Sequence, residues 1–199
     1  MNIFDKIKEI LFNSNQFFSS LKKEKTVQES FKFYIILAAF SAIMGYIMFL
    51  IFGDIIMDSL LKIFSQLGAD IPETGNLQTF GRTLLGYLFS VIGSFVSAAI
   101  LYLWLLIFKG NEGYQKSYQL YVYSQTPNLL FSWIPVVSII SWIYSFALLV
   151  IGTRKIYNFS NTKSVLIYLI PLIILFIIGL MFFAVALAFL SNMNGSSLL

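Results

Sequence analysis

Apolar positions in this chain come in long, almost unbroken runs. The first runs from Phe33 to Phe52 and stops at Gly53-Asp54; the second runs from Leu84 to Phe108, between Arg82 and Lys109. An uncharged stretch then extends from Ser117 to Thr153, and a last run covers Val165 to Leu190. A helix needs about 20 apolar residues to cross roughly 30 Å of hydrocarbon. As one helix the uncharged stretch would reach about 55 Å, too long for one crossing. Trp133-Ile134-Pro135 lies near its middle, and proline with its restricted predecessor breaks helices. The pattern therefore predicts two short spans there, Tyr118 to Trp133 and Pro135 to Gly152. The expected fold is an all-α integral membrane protein: a bundle of five transmembrane helices over residues 33–190, preceded by an amphipathic segment, 1–32, and followed by a short disordered tail, 191–199.

The positions of lysine and arginine orient the bundle. With five spans and the N-terminus inside, eleven of these residues fall on the inner side and two on the outer; a single crossing in the long stretch gives eight against five. The positive-inside rule selects five spans, a cytoplasmic N-terminus and an outer C-terminus. The first thirty-two residues are polar, and the apolar run after them exceeds a signal-peptide core, so an uncleaved anchor is expected.

Two connecting segments have helical amphipathic spacing: Ile3, Phe4, Ile7, Ile10 and Leu11 beside Lys6, Lys8 and Glu9, and Ile56, Leu60, Ile63, Phe64 and Leu67 beside Asp58 and Lys62. Such helices lie in the interface plane or dock on a bundle, and a partner-binding helix is the sharper alternative. Gly86, Ser90, Ser94 and Ala98, with Gly93 and Ser97 alongside, make a small-residue seam for close helix packing, and Ser138, Ser141 and Ser145 make another.

Composition sharpens the class. Apolar residues are 58% of the chain, aromatics 18% and charged residues 11%, against about 25% charged in a soluble domain. Histidine and cysteine are absent, which removes the commonest metal ligand, the thiol nucleophile and the usual general base. The charged side chains all lie outside the proposed spans, so a proton relay is disfavoured. Asp54 and Asp58 share a helical face near Lys62 and read as solvated rather than catalytic. No catalytic residue, metal ligand or cofactor site is expected, and the basic residues beside the spans are no nucleic-acid signal. The most polar intramembrane stretch is Ser124-Gln125-Thr126-Pro127-Asn128. Pro127 removes a backbone donor and leaves the Tyr123 carbonyl for Ser124, Thr126 or a neighbouring helix to satisfy. Gln125 and Asn128 fall nearly on one face and are expected to bond to other spans, or to line a small pore.

Phe108-Lys109-Gly110-Asn111-Glu112-Gly113-Tyr114, then Tyr121-Val122-Tyr123-Ser124 and Pro127, then Ile134-Pro135, together resemble the Yip family of Ypt/Rab-interacting membrane proteins. Phe17-Phe18 before Lys22-Lys23-Glu24, Ile151-Gly152 before Tyr157, and Pro171 in the last span are similar to its pattern, so the resemblance covers nearly the whole chain. Gly110, Gly113, Tyr114, Tyr121, Tyr123, Ser124, Gln125, Pro127, Asn128, Pro135 and Gly152 are the candidate motif or helix-packing residues. The resemblance implies five spans and a cytoplasmic N-terminus. For eukaryotic members it also implies small-GTPase binding and vesicle traffic. This chain shows neither their long N-terminal region, with its acidic and aromatic motif, nor a cysteine. It looks closer to the short prokaryotic members, and its richness in Lys, Ile, Asn, Phe and Tyr suits a prokaryotic plasma membrane. The function expected is non-enzymatic: association with membrane lipids, partner membrane proteins or further copies of itself. A small transporter or channel subunit built around Gln125, Thr126 and Asn128 is the alternative.

Overall fold

The computed structural model describes the backbone of residues 2–21, 24, 26–66 and 76–195, with side chains except at 54, 56–66, 76, 77 and 186–195. Those residues form only helices and their connections: α1 (Ile3–Phe12), α2 (Ser14–Ser20), α3 (Gln28–Gln66), α4 (Asn76–Ile107), α5 (Tyr114–Ser124), α6 (Thr126–Phe131), α7 (Pro135–Tyr157) and α8 (Asn161–Gly195). Two compact units result, Met1–Asn158 and Phe159–Leu199. Among the described residues four helices are long and apolar enough to cross a membrane: Gln28–Gly53, Gln78–Ile107, Pro135–Tyr157 and Asn161–Val185.

The third expected span, Tyr118 to Trp133, is instead the broken pair α5–α6, interrupted at Gln125. A second departure concerns α3, which continues through Gly53-Asp54 to Gln66 rather than stopping there. Glycine weakens a helix interior by only about 1 kcal/mol, and the Phe49 ring packs 3.0 Å from where a Cβ on Gly53 would stand. The amphipathic face expected over Ile56 to Leu67 lies outside the described side chains. Lys22, Lys23 and Lys25 also lie outside the described residues.

In the first unit α3 and α4 run antiparallel, since Tyr34 Oη donates to the Ser90 carbonyl (3.2 Å) while the Tyr46 and Phe80 rings meet at 5.7 Å. Phe33, Tyr34, Leu37 and Ala38 turn inward, whereas Ile36, Phe40, Ile43, Ile47 and Leu50 are exposed. An outward apolar face of this kind is what lipid, not water, solvates. The small-residue seam of α4 is used unevenly: Ser94 and Ala98 are fully buried, while Gly86 and Ser90 line a cavity of about 300 Å³ with Ser41 and Gly45.

Helix ends follow local chemistry. Lys109 takes a left-handed conformation (φ 65°); its N–H bonds the Leu106 carbonyl, and the Gly110 N–H bonds that of Leu105. This pair of bonds is a Schellman termination of α4. Pro135 opens α7, where its missing N–H costs nothing, and Asn158 closes it at φ 54°, a conformation asparagine tolerates.

In the second unit Ser160 starts α8, its hydroxyl accepting the Lys163 N–H at 3.3 Å. Pro171 lies inside without ending the helix. From Leu169 to Val185 the side chains are exposed around the circumference, Pro171 alone being half-buried. The helix runs through Gly195, into the stretch expected as a tail.

Candidate functional site

Helix α5, YQKSYQLYVYS, is the least apolar of the long-range-packed helices and the most enclosed: Ser117, Tyr118, Gln119, Leu120, Val122, Tyr123 and Ser124 are all buried. Polar side chains in a membrane bundle turn inward because lipid offers them no partner. Here Ser117, Tyr118, Gln119, Tyr123 and Ser124 each find one, whereas Gln115 Nε2 is buried without one among the described residues. Tyr118 Oη and Ser94 Oγ share a hydrogen bond (3.3 Å), as do Ser117 Oγ and Tyr157 Oη (2.7 Å). Tyr114 Oη donates to the Phe95 carbonyl at 3.1 Å.

One edge of α5 is directed at the segment preceding the first span. Lys116 Nζ donates to the carbonyls of Leu21 and Glu24 and to Gln119 Oε1, and Gln119 Nε2 donates to the Thr26 carbonyl at 3.0 Å. Tyr123 Oη donates to Glu24 Oε1 (3.3 Å) and accepts from Lys6 Nζ (3.2 Å). Lys6 also pairs with Glu29 Oε2 at 3.2 Å, its own side chain 10% exposed and that of Glu29 67%. Half-open to solvent, this ion pair adds little by itself; its effect is to place Lys6. Burial, joined by the Glu29 carboxylate, raises the Glu24 carboxyl above its ordinary pKa, against the opposing pull of Lys6, Lys116 and the Tyr123 hydrogen bond.

Apolar contacts close the same junction. Phe17 meets the Tyr123 ring edge-on at 5.0 Å, and Phe33 flanks it at 5.3 Å. Phe18, fully buried, sits against Gly152: a Cβ there would stand 2.9 Å from the Phe18 ring and 2.4 Å from Leu120 Cδ1. Tyr144 Oη donates to the Leu11 carbonyl and Arg154 to Asn15 Oδ1. Helices α1 and α2 are thus docked on the bundle through Lys6, Ile10, Phe17 and Phe18, all buried.

The sequence-derived candidates other than Pro135 divide into three groups. Tyr123 and Gly152 form the junction itself. Gly110, Gly113 and Tyr114 shape the α4–α5 turn, Gly110 lying 2.9 Å (by its virtual Cβ) from the Tyr157 ring and Gly113 taking φ 85°. The rest govern the helix break: Thr126 Oγ1 caps the Tyr123 carbonyl (2.8 Å) and Ser124 Oγ that of Tyr121 (2.8 Å), with Pro127 buried in the first turn of α6. Pro135 begins α7, apart from both. Gln125 and Asn128, expected to reach other spans, bond to each other at 3.3 Å, and only the Asn128 N–H crosses to α7, at Ser145 Oγ (3.2 Å). Neither lines either cavity beside α3 and α4.

Lys6, Glu24, Glu29, Lys116 and Gln119 are site residues that hydropathy missed. Placing the third span at Tyr118 put Lys116 outside it, whereas α5 starts at Tyr114. The available signal was the spacing of Lys116, Gln119 and Tyr123, three polar groups on one helical face. Among the described residues no group of three or more His, Cys, Asp or Glu gathers as a metal site.

Long apolar helices with polar groups turned inward define a multi-pass helical membrane protein. The Yip1 domain family model matches residues 8–183, and the chain belongs to that family. No curated protein and no solved structure matches it.

Proposed function

We propose that this Yip1-family protein is a non-enzymatic membrane protein acting by protein or lipid association, with α1–α2 as the element it presents. The observation carrying this reading is that Lys116, Gln119 and Tyr123 of α5 all bond the segment around α1 and α2, which couples that segment to the bundle. Partners in this reading are lipids, other membrane proteins or further copies; a small GTPase enters only by family analogy. Crosslinking and affinity capture from native membranes, on the intact chain and on one lacking residues 1–21, tests it. A specific partner lost with the deletion is expected. The same set of captured proteins from both forms would sink the reading.

The topology in this proposal has five spans, with α5–α6 as the third. Together they reach about 27 Å, and the break at Gln125 is tolerable where Thr126 and neighbouring helices satisfy the freed backbone. Charge asymmetry then supports a cytoplasmic N-terminus, and composition a prokaryotic plasma membrane. Cysteines placed singly at Asn111 and Ser132 should be labelled by an impermeant reagent from opposite sides. Labelling from one side would leave four crossings.

A further inference from the structure

We infer that the outer face of α1, Phe4–Lys8–Phe12, lies in the lipid interface on the N-terminal side of the membrane. The three residues follow at intervals of four and share one helical face. Phe4 and Phe12 are each 78% exposed, with Lys8 exposed between them. The opposite face is committed, because Lys6 and Ile10 are buried against the bundle. The helix therefore cannot roll to hide its phenyl rings.

Its placement identifies what covers them. Lys6 bonds Glu29 in the first turn of α3 and Tyr123 on α5, whereas Leu11 accepts the Tyr144 hydroxyl of α7. Helix α1 thus lies across the bundle rather than along one helix. It crosses α3 just before the apolar run that begins at Phe33. On α7 it crosses beside Trp142 and Ile143, which are 56% and 57% exposed and are the last large apolar side chains exposed on that helix. Tyr144 lies within the span Pro135–Tyr157, so the Phe12 end of the face meets the lipid-facing surface of α7; amphipathic helices insert about 5–10 Å, where aromatic residues collect. Asp5 is exposed beside Lys8, and Lys6 is engaged inside. Aromatic insertion, not attraction to anionic headgroups, therefore holds the helix to the interface, so zwitterionic lipid suffices.

This deepens the association reading by naming the lipid interface as a partner, and rests on it for the bundle's place in the membrane. The chain has no cysteine, so single cysteines at Phe4, Phe12, Asn111 and Ile139 can carry an environment-sensitive fluorophore in phosphatidylcholine vesicles. Iodide should quench the label at Phe4 and Phe12 severalfold less than at the exposed loop residue Asn111, and shallow doxyl lipid should quench them more than deep doxyl lipid. Iodide quenching equal to that at Asn111 overturns the proposal, as does ready disulfide formation between Phe4→Cys copies, which would put a second copy on the face. The label at Ile139, exposed on α7, reads insertion of the bundle separately, and partner capture reads the association role. A water-exposed α1 on an inserted bundle would refute the inference and leave that role standing.

Discussion

Gly152→Ala is expected to loosen the docking of α1 and α2 by about 2 kcal/mol, the middle of the range for overpacking a filled interior. Added Cβ atoms usually find room when the neighbour is the tip of a flexible side chain. Here the neighbours are Leu120 and Phe18, both fully buried, at 2.4 and 2.9 Å. The ring of Phe18 cannot retreat without leaving α7. Hydrogen exchange of the amides in residues 3–20 should accelerate about thirtyfold, since each 1.4 kcal/mol is a factor of ten. Leu120→Ala added to Gly152→Ala should recover much of the protection by giving the methyl a place. Gly93→Ala is the control: nothing stands within 4 Å of its Cβ position, so exchange there should stay unchanged. Equal effects at Gly93 and Gly152 would mean that helix propensity, not the contact with Phe18, governs the response.

Lys116→Met should act on the same junction through polar groups. It leaves the carbonyls of Leu21 and Glu24 and the Gln119 side chain without their charged donor. An unsatisfied buried acceptor costs about 1–3 kcal/mol, and exchange in residues 3–20 should rise about fivefold to 150-fold. Unchanged exchange would assign these carbonyls to water instead. Glu24→Gln should move the other way at neutral pH. Its carboxyl has a raised pKa when docked, so the docked form binds the proton more tightly than the released one. That contribution to docking is full below the ordinary carboxylate pKa of about 4.5 and is lost as pH rises through the raised value. Glutamine, neutral throughout and still able to accept from Tyr123, removes the dependence.

Hydropathy located the long helices because lipid selects apolar side chains without regard to their neighbours; Pro135 marks the start of α7, while α3, α4 and α8 begin at Gln28, Asn76 and Asn161, ahead of Phe33, Leu84 and Val165. It misplaced the ends of α3 and α5 for the same reason. Gly53-Asp54 reads as a stop only if the helix must end where lipid ends, and helix α3 continues. Lys116 reads as a flank only if a charge cannot enter a helix, but it meets two carbonyls supplied from another part of the chain and the Gln119 side-chain oxygen of its own helix. The tyrosine, threonine and proline around the break at Gln125 were legible because their chemistry is local: Thr126 caps a carbonyl three residues away. The junction was not, because its bonds to α5 and α7 connect residues 92 to 139 positions apart. Amphipathic spacing in residues 3–11 left lying flat and docking both open, and α1 presents one face to the bundle and another outward.

The distance along the chain from Lys6 to Tyr123 also fixes an order of events. The helix that receives α1 is made 117 residues after Lys6. At about 5–20 residues per second of synthesis, α1 waits roughly 6–23 s before α5 exists to bind it. During that interval the Tyr123 partner of Phe17 and the Gly152 partner of Phe18 do not yet exist and Lys6 has only Glu29, so an early-made segment is among the last to find its place.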